Sequence, residues 1–496
     1  MFDLTPREPQ RPLFWPDVIL DIQELLADSP VSIYIVGGAV RDALLHRPLK
    51  DIDLAVASAS IKLGKRIADH WNVDFYVMDQ EREVTRSFIT TSEGQFVIDI
   101  ARFRGDDLAQ DLFDRDFTLN ALAVDLASDL AHIIDPLNGQ DDAIKRLIRR
   151  CHANSIAHDP IRGLRAIRQS IQLNGHIERE TKNDIRAQAA KLFDVSPERV
   201  RDEFIKMLSV ERPAASLRVA DALGLLALIV PEAAPLHDFP VESAQPQDAW
   251  QFTLKTIENL GRIFQTISTQ RSDNTAASFT LGMLALQIDR YRPQLQEHLG
   301  AVWPNQRTNA ALLLLGALLY GIIHTHTTKP DLTDKKQRVQ IVEQAAEHLR
   351  LSNDEKLRLR RVVGTGDDVP PLENLDPLTI YRYWRRTGEA GVDCCLLALA
   401  LHLTREGVEL NQKRWLNMIE RTRLLFEAYY TKREQLVAPP QMIAGDKLAA
   451  ALNLATGPII GTLLEVIREG QVTGAVQSED DAIHIAQEYL AHNNYS

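Results

Sequence analysis

Cysteine is scarce in this chain of 496 residues, which has only Cys151, Cys394 and Cys395. A disulfide framework is excluded, and a bridge between the adjacent pair would be strained, so a reducing, cytoplasmic compartment is expected. No run approaches the roughly 20 uncharged apolar residues that span a bilayer, and no membrane partner is expected. The opening stretch MFDLTPREPQRPLFWPDV carries acids and prolines without a compact apolar core, so it is not expected to serve as a signal peptide. Basic residues are outnumbered, 56 Lys and Arg against 68 Asp and Glu, for a net charge of −12. A protein basic all over is thereby excluded, although nucleic-acid binding needs only one basic face. Fixed-period repeats and low-complexity tracts are also missing.

What is present is an ordinary globular composition, 45% apolar and 25% charged, in a chain long enough for about three or four domains. Six strand-like runs fall between 31 and 134: VSIYIVGG, DIDLAVA, VDFYVMD, SFITT, QFVIDIARF and LAVDL. Helix-like stretches separate some of them, which predicts a mixed α/β head. From about 141 onward 3.6-residue periodicity takes over, in AIKRLIRRC, IRGLRAIRQSIQL, ERVRDEFIKML, FTLKTIENLGRIF, AALLLLGALLYGII, RVQIVEQAAEHLRL and CCLLALALHLT. Pro, Gly and acids cluster at 230–247, 364–377 and 437–441, which predicts joints there. Oligomeric state stays open, because an apolar helix such as 310–323 suits a core or an interface.

One stretch concentrates chemistry, IYIVGGAVRDALLHRPLKDIDLAV at 33–56. Gly37 and Gly38 end a strand and open a helix, where a phosphate can approach backbone N–H groups at the positive end of the helix dipole. Arg41 lies one turn into that helix. Asp51 and Asp53, two apart on the next strand, project from one face. Paired oxygen ligands suit Mg²⁺, whose shell is completed by water and substrate phosphate. Each half alone also fits an ordinary turn or a solvated strand end; their occurrence within 17 residues favours metal-dependent phosphoryl transfer. Asp99, a lone acid in FVIDIARF, fits a third carboxylate near the metals or a solvated strand end.

The ordered set GGAVRDALL…KDIDLAV, DRDFTLNALAVD (114–125), DPIRGLRAIR (159–168) and ERVRDEF (198–204), with the tail IAGDKLAAALNLATGPIIGTLLEVIREGQVTGAV, resembles class II tRNA nucleotidyltransferases and bacterial poly(A) polymerases over almost the whole chain. The resemblance implies an α+β protein: a nucleotidyltransferase (polymerase-beta-like) α/β head at 1–140, a helical neck at 141–235 binding the base and RNA, a helical body at 236–436 and an RNA-binding tail at 437–496. It further implies CCA addition to the 3′ end and acceptor region of tRNA from CTP and ATP, with A-adding, CC-adding or poly(A) synthesis as alternatives. Gly37 and Gly38, chiefly the latter, with Arg41 would hold the triphosphate, and Asp51 and Asp53 would bind two Mg²⁺. Arg115, with Asp116 and Asn120, would contact ribose and phosphates. Asp159 and Arg162 would present a hydrogen-bonding edge to the incoming base, and Arg165 and Arg168 would complete the site.

From the residues alone, Asp159-Pro160 predicts a helix start, with Asp as N-cap and Pro at the first turn. Steps of three through 159, 162, 165 and 168 rotate each position by about 60°, so the last faces away from the first. Two positions depart from the family pattern: His158 replaces a glutamate and Asp114 an arginine. The first touches base choice; the second weakens local attraction for phosphate. Residues 145–212 hold 15 Lys or Arg against 9 Asp or Glu, a basic surplus suited to an RNA backbone or to solvent, and HLRLSNDEKLRLRR (348–361) is a weaker candidate. The body resembles an HD phosphohydrolase skeleton without its ligands, with Phe252, Tyr320 and Gly321 at the expected metal positions. His324 and His326 alternate, which on a helix points them apart.

Overall fold

A computed structural model describes residues 3–241, 247–268, 279–304, 306–323 and 335–493. The chain divides into two compact units, Met1–Glu211 with Val219–Leu228, and Arg212–Arg218 with Ile229–Ser496.

All six strand-like runs of the first unit enter one sheet: β1 (Ile33–Val36), β2 (Asp51–Val56), β3 (Phe75–Asp79), β4 (Val84–Thr91), β5 (Gly94–Arg102) and β6 (Ala123–Asp125), in the order β3-β4-β5-β2-β1-β6. Within this sheet β2 and β5 pair in parallel and the other neighbours antiparallel. Helices α1 (Asp17–Leu25), α2 (Gly38–Leu44), α3 (Ser60–Trp71) and α4 (Leu108–Phe113) accompany it. Alternation along the strands feeds two cores. Ile52, Leu54 and Val56 join Val18, Ile19 and Ile22 of α1 and Leu63 and Ile67 of α3. Val36 and Ala55 instead meet Leu108 and Leu112 of α4. Because side chains repeat every second residue, Asp51 and Asp53 lie on the Ala55 face, towards α4.

After the sheet come α5 (Gly139–Ile144), α6 (Ser155–His158), α7 (Arg162–Gln172), α8 (Arg179–Gln188) and α9 (Pro197–Leu208). The helical pattern expected across AIKRLIRRC breaks. Arg146 turns the chain at φ 53°, and Leu147–Ile148 pairs in parallel with His176–Ile177. Gly175 permits this closure, since a Cβ there would stand 2.1 Å from the Arg146 carbonyl oxygen. The helix start expected at Asp159 also shifts. Helix α7 begins at Arg162, whose N–H donates to the Asp159 carbonyl, while the Asp159 carboxylate caps nothing and pairs with Arg199.

The second unit is helical apart from one short strand pair. Helix Ala390–Glu406 is buried on nearly every side, as its all-round apolar sequence requires. The charges it buries are paired: Asp393, fully buried, meets His298 at 2.8 Å and Arg358 at 2.5 Å, and Arg307 meets Glu355 at 2.5 Å. Arg358 and Arg360, which pairs with Glu343, come from the stretch 348–361. That stretch is therefore partly consumed by the core rather than offered to RNA. Helices Gly445–Ala451, Pro458–Thr473 and Glu479–His492 close a core of their own around Leu448, Leu463 and Ala486.

The positions expected to have lost metal ligands are filled by packing. Phe252 is buried, and the Tyr320 hydroxyl donates to Asp367 at 2.7 Å and accepts from Arg405 at 3.1 Å. Gly321 lets helix Asn309–Ile323 close on helix Ala249–Ile267, since a Cβ there would stand 1.8 Å from Thr253 Oγ1. His324 and His326 lie outside the described residues. Gly321→Ala gains roughly 1 kcal/mol of helix propensity but overpacks at a cost of about 1–3 kcal/mol, so the clash wins. Its thermal unfolding midpoint should fall below that of the parent, and Thr253→Ala in the same chain should recover part of the loss.

Candidate active site

Strand β1 ends at Val36, and Gly37 turns the chain at φ 76° into α2, which opens at Gly38 without a side-chain cap. Two reasons demand glycine at 37. Its backbone is left-handed, and a Cβ would stand 2.7 Å from Arg115 Nη1 and 3.4 Å from Asp53 Oδ2. The special conformation thus falls on Gly37, and Gly38 is the first helical residue.

Strand register brings the acids together. Asp53 lies opposite Val36 on one side and Asp99 on the other. Burial raises the Asp53 carboxyl above its ordinary range; Arg115 opposes this, and Asp99 and Asp51 add to it. Asp99 is held by Arg86 across the β4–β5 pair, Nε and Nη2 donating at 2.8 and 2.7 Å. It is thus ion-paired rather than merely solvated, and it stands beside Asp53 in register. Among the described residues no cluster of three or more His, Cys, Asp or Glu is arranged around a metal. The donor set at the turn is Asp51, exposed, and Asp53, half-buried, an acid pair suited to a hard divalent cation that takes its remaining ligands from water and phosphate oxygens.

Arg115 reaches Gly37 because Asp111, one turn earlier and buried, accepts from its Nε at 3.1 Å and its Nη2 at 2.9 Å. The next residue anchors a second layer. Asp116, 6% exposed, accepts from Arg165 Nε at 2.9 Å, the Phe117 amide at 2.9 Å, Asn120 Nδ2 at 2.9 Å and Gln169 Nε2 at 3.2 Å. Burial alone would push this carboxyl up, but Arg165 and these hydrogen bonds hold it well below the usual carboxylate range. Asn120 Oδ1 accepts in turn from Arg41 Nη1 at 2.6 Å, and Arg41 also pairs with Asp42. One continuous chain therefore joins α7, the 116–120 turn and α2.

Asp159 and Arg162 are near in sequence but engage different partners. Arg162 donates to the carbonyls of Asp114 at 2.6 Å and Arg115 at 3.2 Å and to Ser155 Oγ at 2.7 Å, all uncharged acceptors. Arg199 on α9 holds Asp159 at 3.0 Å. Exposed His158 lies 5.4 Å from the His152 ring, which stacks on Phe113 at 4.7 Å. Arg168 is taken up by Glu203 and Gln172. Asp111, Gln169, Arg86, Arg199 and Ser155 thus belong to the site region, although sequence reading did not single them out. Asp111 had a signal, its i,i+4 spacing to Arg115.

Most of the basic surplus of 145–212 is spent internally, in Arg149–Asp142, Arg150–Asp184, Arg165–Asp116 and Arg168–Glu203. Helix α8 is different. Arg179, Lys182 and Arg186 follow i, i+3, i+7 along one face and form none of the ion pairs seen among the described residues.

Two family models match the chain, the poly A polymerase head domain over 33–149 and a probable RNA- and SrmB-binding site of polymerase A over 176–236. The chain is 28% identical over 471 residues to a CC-adding tRNA nucleotidyltransferase of Geobacter sulfurreducens, covering 95% of this chain and 94% of the relative. It is 26% identical to an A-adding tRNA nucleotidyltransferase of Deinococcus radiodurans, with 94% and 97% covered. Its fold is similar to that of a Thermotoga maritima CCA-adding enzyme in complex with tRNA, at TM-score 0.55 and 20% identity, covering 98% and 99%.

Replacing Asp116 by Asn puts an amide donor against the Arg165 guanidinium. The expected loss is about 2–3 kcal/mol, less than for a wholly buried pair because the Arg165 side chain is 42% exposed. The folded-state pKa is depressed, so the stability Asp116 contributes is full above the unfolded value near 4 and fades as pH falls through the lower folded value. Unfolding measured against pH should show a parent-to-variant gap that is constant above about pH 4 and narrows below it.

Proposed function

We propose that the chain is a member of the family of CCA-adding tRNA nucleotidyltransferases and poly(A) polymerases, and that it adds CMP and AMP from CTP and ATP to the 3′ end of tRNA, releasing pyrophosphate. One observation carries this reading: a left-handed glycine turn opening a helix, a carboxylate of the acid pair and a guanidinium meet at Gly37, where a Cβ would touch both Arg115 and Asp53.

In this proposal Asp51 and Asp53 are the catalytic carboxylates and the metal ligands. Family members use divalent metal ions, and Mg²⁺ bound here would supply activation of the RNA 3′-hydroxyl and neutralise the triphosphate. Gly37, Gly38 and Arg115 receive the triphosphate. Arg41, Asn120, Asp116 and Arg165 fix the shape of that pocket through their mutual bonds, and Arg168 steadies α7 against α9. Asp159 and Arg162 offer acceptor and donor atoms to the incoming base, so the protein itself chooses C or A. The open basic face of α8 is assigned to the RNA backbone of the acceptor region, a contact that reads charge rather than sequence. A cytoplasmic setting is inferred from the free Cys151, Cys394 and Cys395.

A narrower product, CC or A alone, is the second reading. Relatives matching along nearly their whole length are named CC-adding and A-adding, and the arginine assigned to base choice is held here by uncharged oxygens.

The test uses purified protein, tRNAs ending before CCA, after the first C and after CC, each nucleoside triphosphate and Mg²⁺, with the 3′ ends sequenced. CCA on the shortest substrate is expected; CC alone, A alone or a long A tail selects an alternative. Asp51→Ala should lower incorporation by at least about 100-fold, and chelation by EDTA should abolish it. Incorporation nowhere, with Asp51→Ala indistinguishable from the parent, rejects the enzyme reading.

A further inference from the structure

A small cavity of about 110 Å³ lies at the far end of α2 from the glycine turn, lined by Arg11, Leu45, Arg47, Ile144, Arg146 and Leu173. Seven residues of α2 separate the two ends, about 10 Å of helix. Half of the lining is arginine, and each comes from a different segment.

Each guanidinium is anchored through its backbone. Arg11 sits between Gln10, whose amide donates to Gln140 Oε1 at 3.0 Å, and Pro12, whose carbonyl is 2.9 Å from His46 Nε2. Arg47 follows left-handed His46, at φ 53°, and donates its own N–H to the Asp42 carbonyl at 2.9 Å. Arg146 is itself left-handed, and its carbonyl receives the His176 N–H at 3.0 Å in the closure that Gly175 permits. Two non-glycine residues thus occupy an unfavoured backbone region to bring the arginines here.

Charge at the cavity is not balanced by the protein. Among the described residues neither Arg11 nor Arg146 has a carboxylate partner. Arg47 has only Asp42, at 3.6 Å, which already receives Arg41 at 2.8 Å. Leu45, Ile144 and Leu173 mark the C-terminal ends of α2, α5 and α7, whose dipoles bring roughly half a negative charge each and still leave the three guanidiniums in surplus. The volume admits several waters, which is room for one tetrahedral oxyanion. We propose that the cavity formed by Arg11, Arg47 and Arg146 binds one phosphate group, either a phosphodiester of an RNA backbone or free inorganic phosphate, at a place separate from the nucleotide site.

The test compares the parent with Arg11→Gln/Arg146→Gln and with Arg47→Gln, each checked for a native circular dichroism spectrum; the milder Arg47→Gln serves if the double variant does not fold. In one arm inorganic phosphate is titrated against chloride at fixed ionic strength. A phosphate-dependent rise of about 2 °C in the parent's unfolding midpoint, lost in the variants, supports the site with free phosphate as occupant. Phosphate bound at the nucleotide site cancels in this comparison, because that site is unaltered. In the other arm tRNA binding is followed by fluorescence anisotropy across a KCl series. A fall of about one in the slope of log affinity against log salt in the variants supports the site with an RNA phosphodiester as occupant. If variants and parent respond alike in both arms, the proposal is overturned, and the arginines serve only to offset three helix ends.

Discussion

The ion pair between Asp116 and Arg165 sets the geometry around the glycine turn. Burying a carboxylate costs several kcal/mol, and the cost is met here by a guanidinium, a backbone amide and two side-chain amides converging on one group. Asn120 commits its NH₂ to Asp116 and Gln169, so its oxygen must face Arg41. Every group in this chain has one orientation left to it. A hydrogen-bonded network of that kind fixes the N-terminal half of α2 against α7.

Both units pair most of the acids they bury, and the acid pair at the glycine turn departs from that pattern. In the second unit Asp393 is met by Arg358 and His298, and Glu355 by Arg307. In the first unit Arg86 settles Asp99, while among the described residues Asp51 and Asp53 form no ion pair, Arg115 and Arg104 acting on Asp53 through space. Pairing everything makes a scaffold; leaving one acid pair unmatched makes a place for a cation. The positions where a resemblance led metal ligands to be expected are packed instead, by Phe252, Gly321 and Tyr320.

Much of the head was legible because its signals are local. β-branched runs named all six strands, and a period of two placed both aspartates on one face before any tertiary information was used. The helical remainder was legible from periodicity, with two failures: the start expected at Asp159 falls at Arg162, and nothing in AIKRLIRRC betrays a left-handed residue at Arg146, because the permissive residue, Gly175, is far along the chain. The site was half legible. Glycine, aspartate and Arg115 were visible in short motifs, whereas the engagement of Asp159 by Arg199 and of Arg162 by backbone carbonyls depends on segments the sequence does not place side by side. Polar residues such as Gln169 gave no signal at all, since only burial distinguishes them from a solvated face.

The parallel pairing of β2 with β5 has a consequence in time. Parallel neighbours need a crossover, and here the crossover contains α3, β3 and β4, so Asp53 and Asp99 are neighbours only after everything between them has formed. Arg115 and Asp116 lie later still, and Arg165 beyond those. As the chain leaves the ribosome, the glycine turn and its two aspartates emerge long before the arginines that shape the pocket. The acidic face is thus exposed and unshaped through much of synthesis, and it gains its partners in sequence order, with the slow non-local closures last.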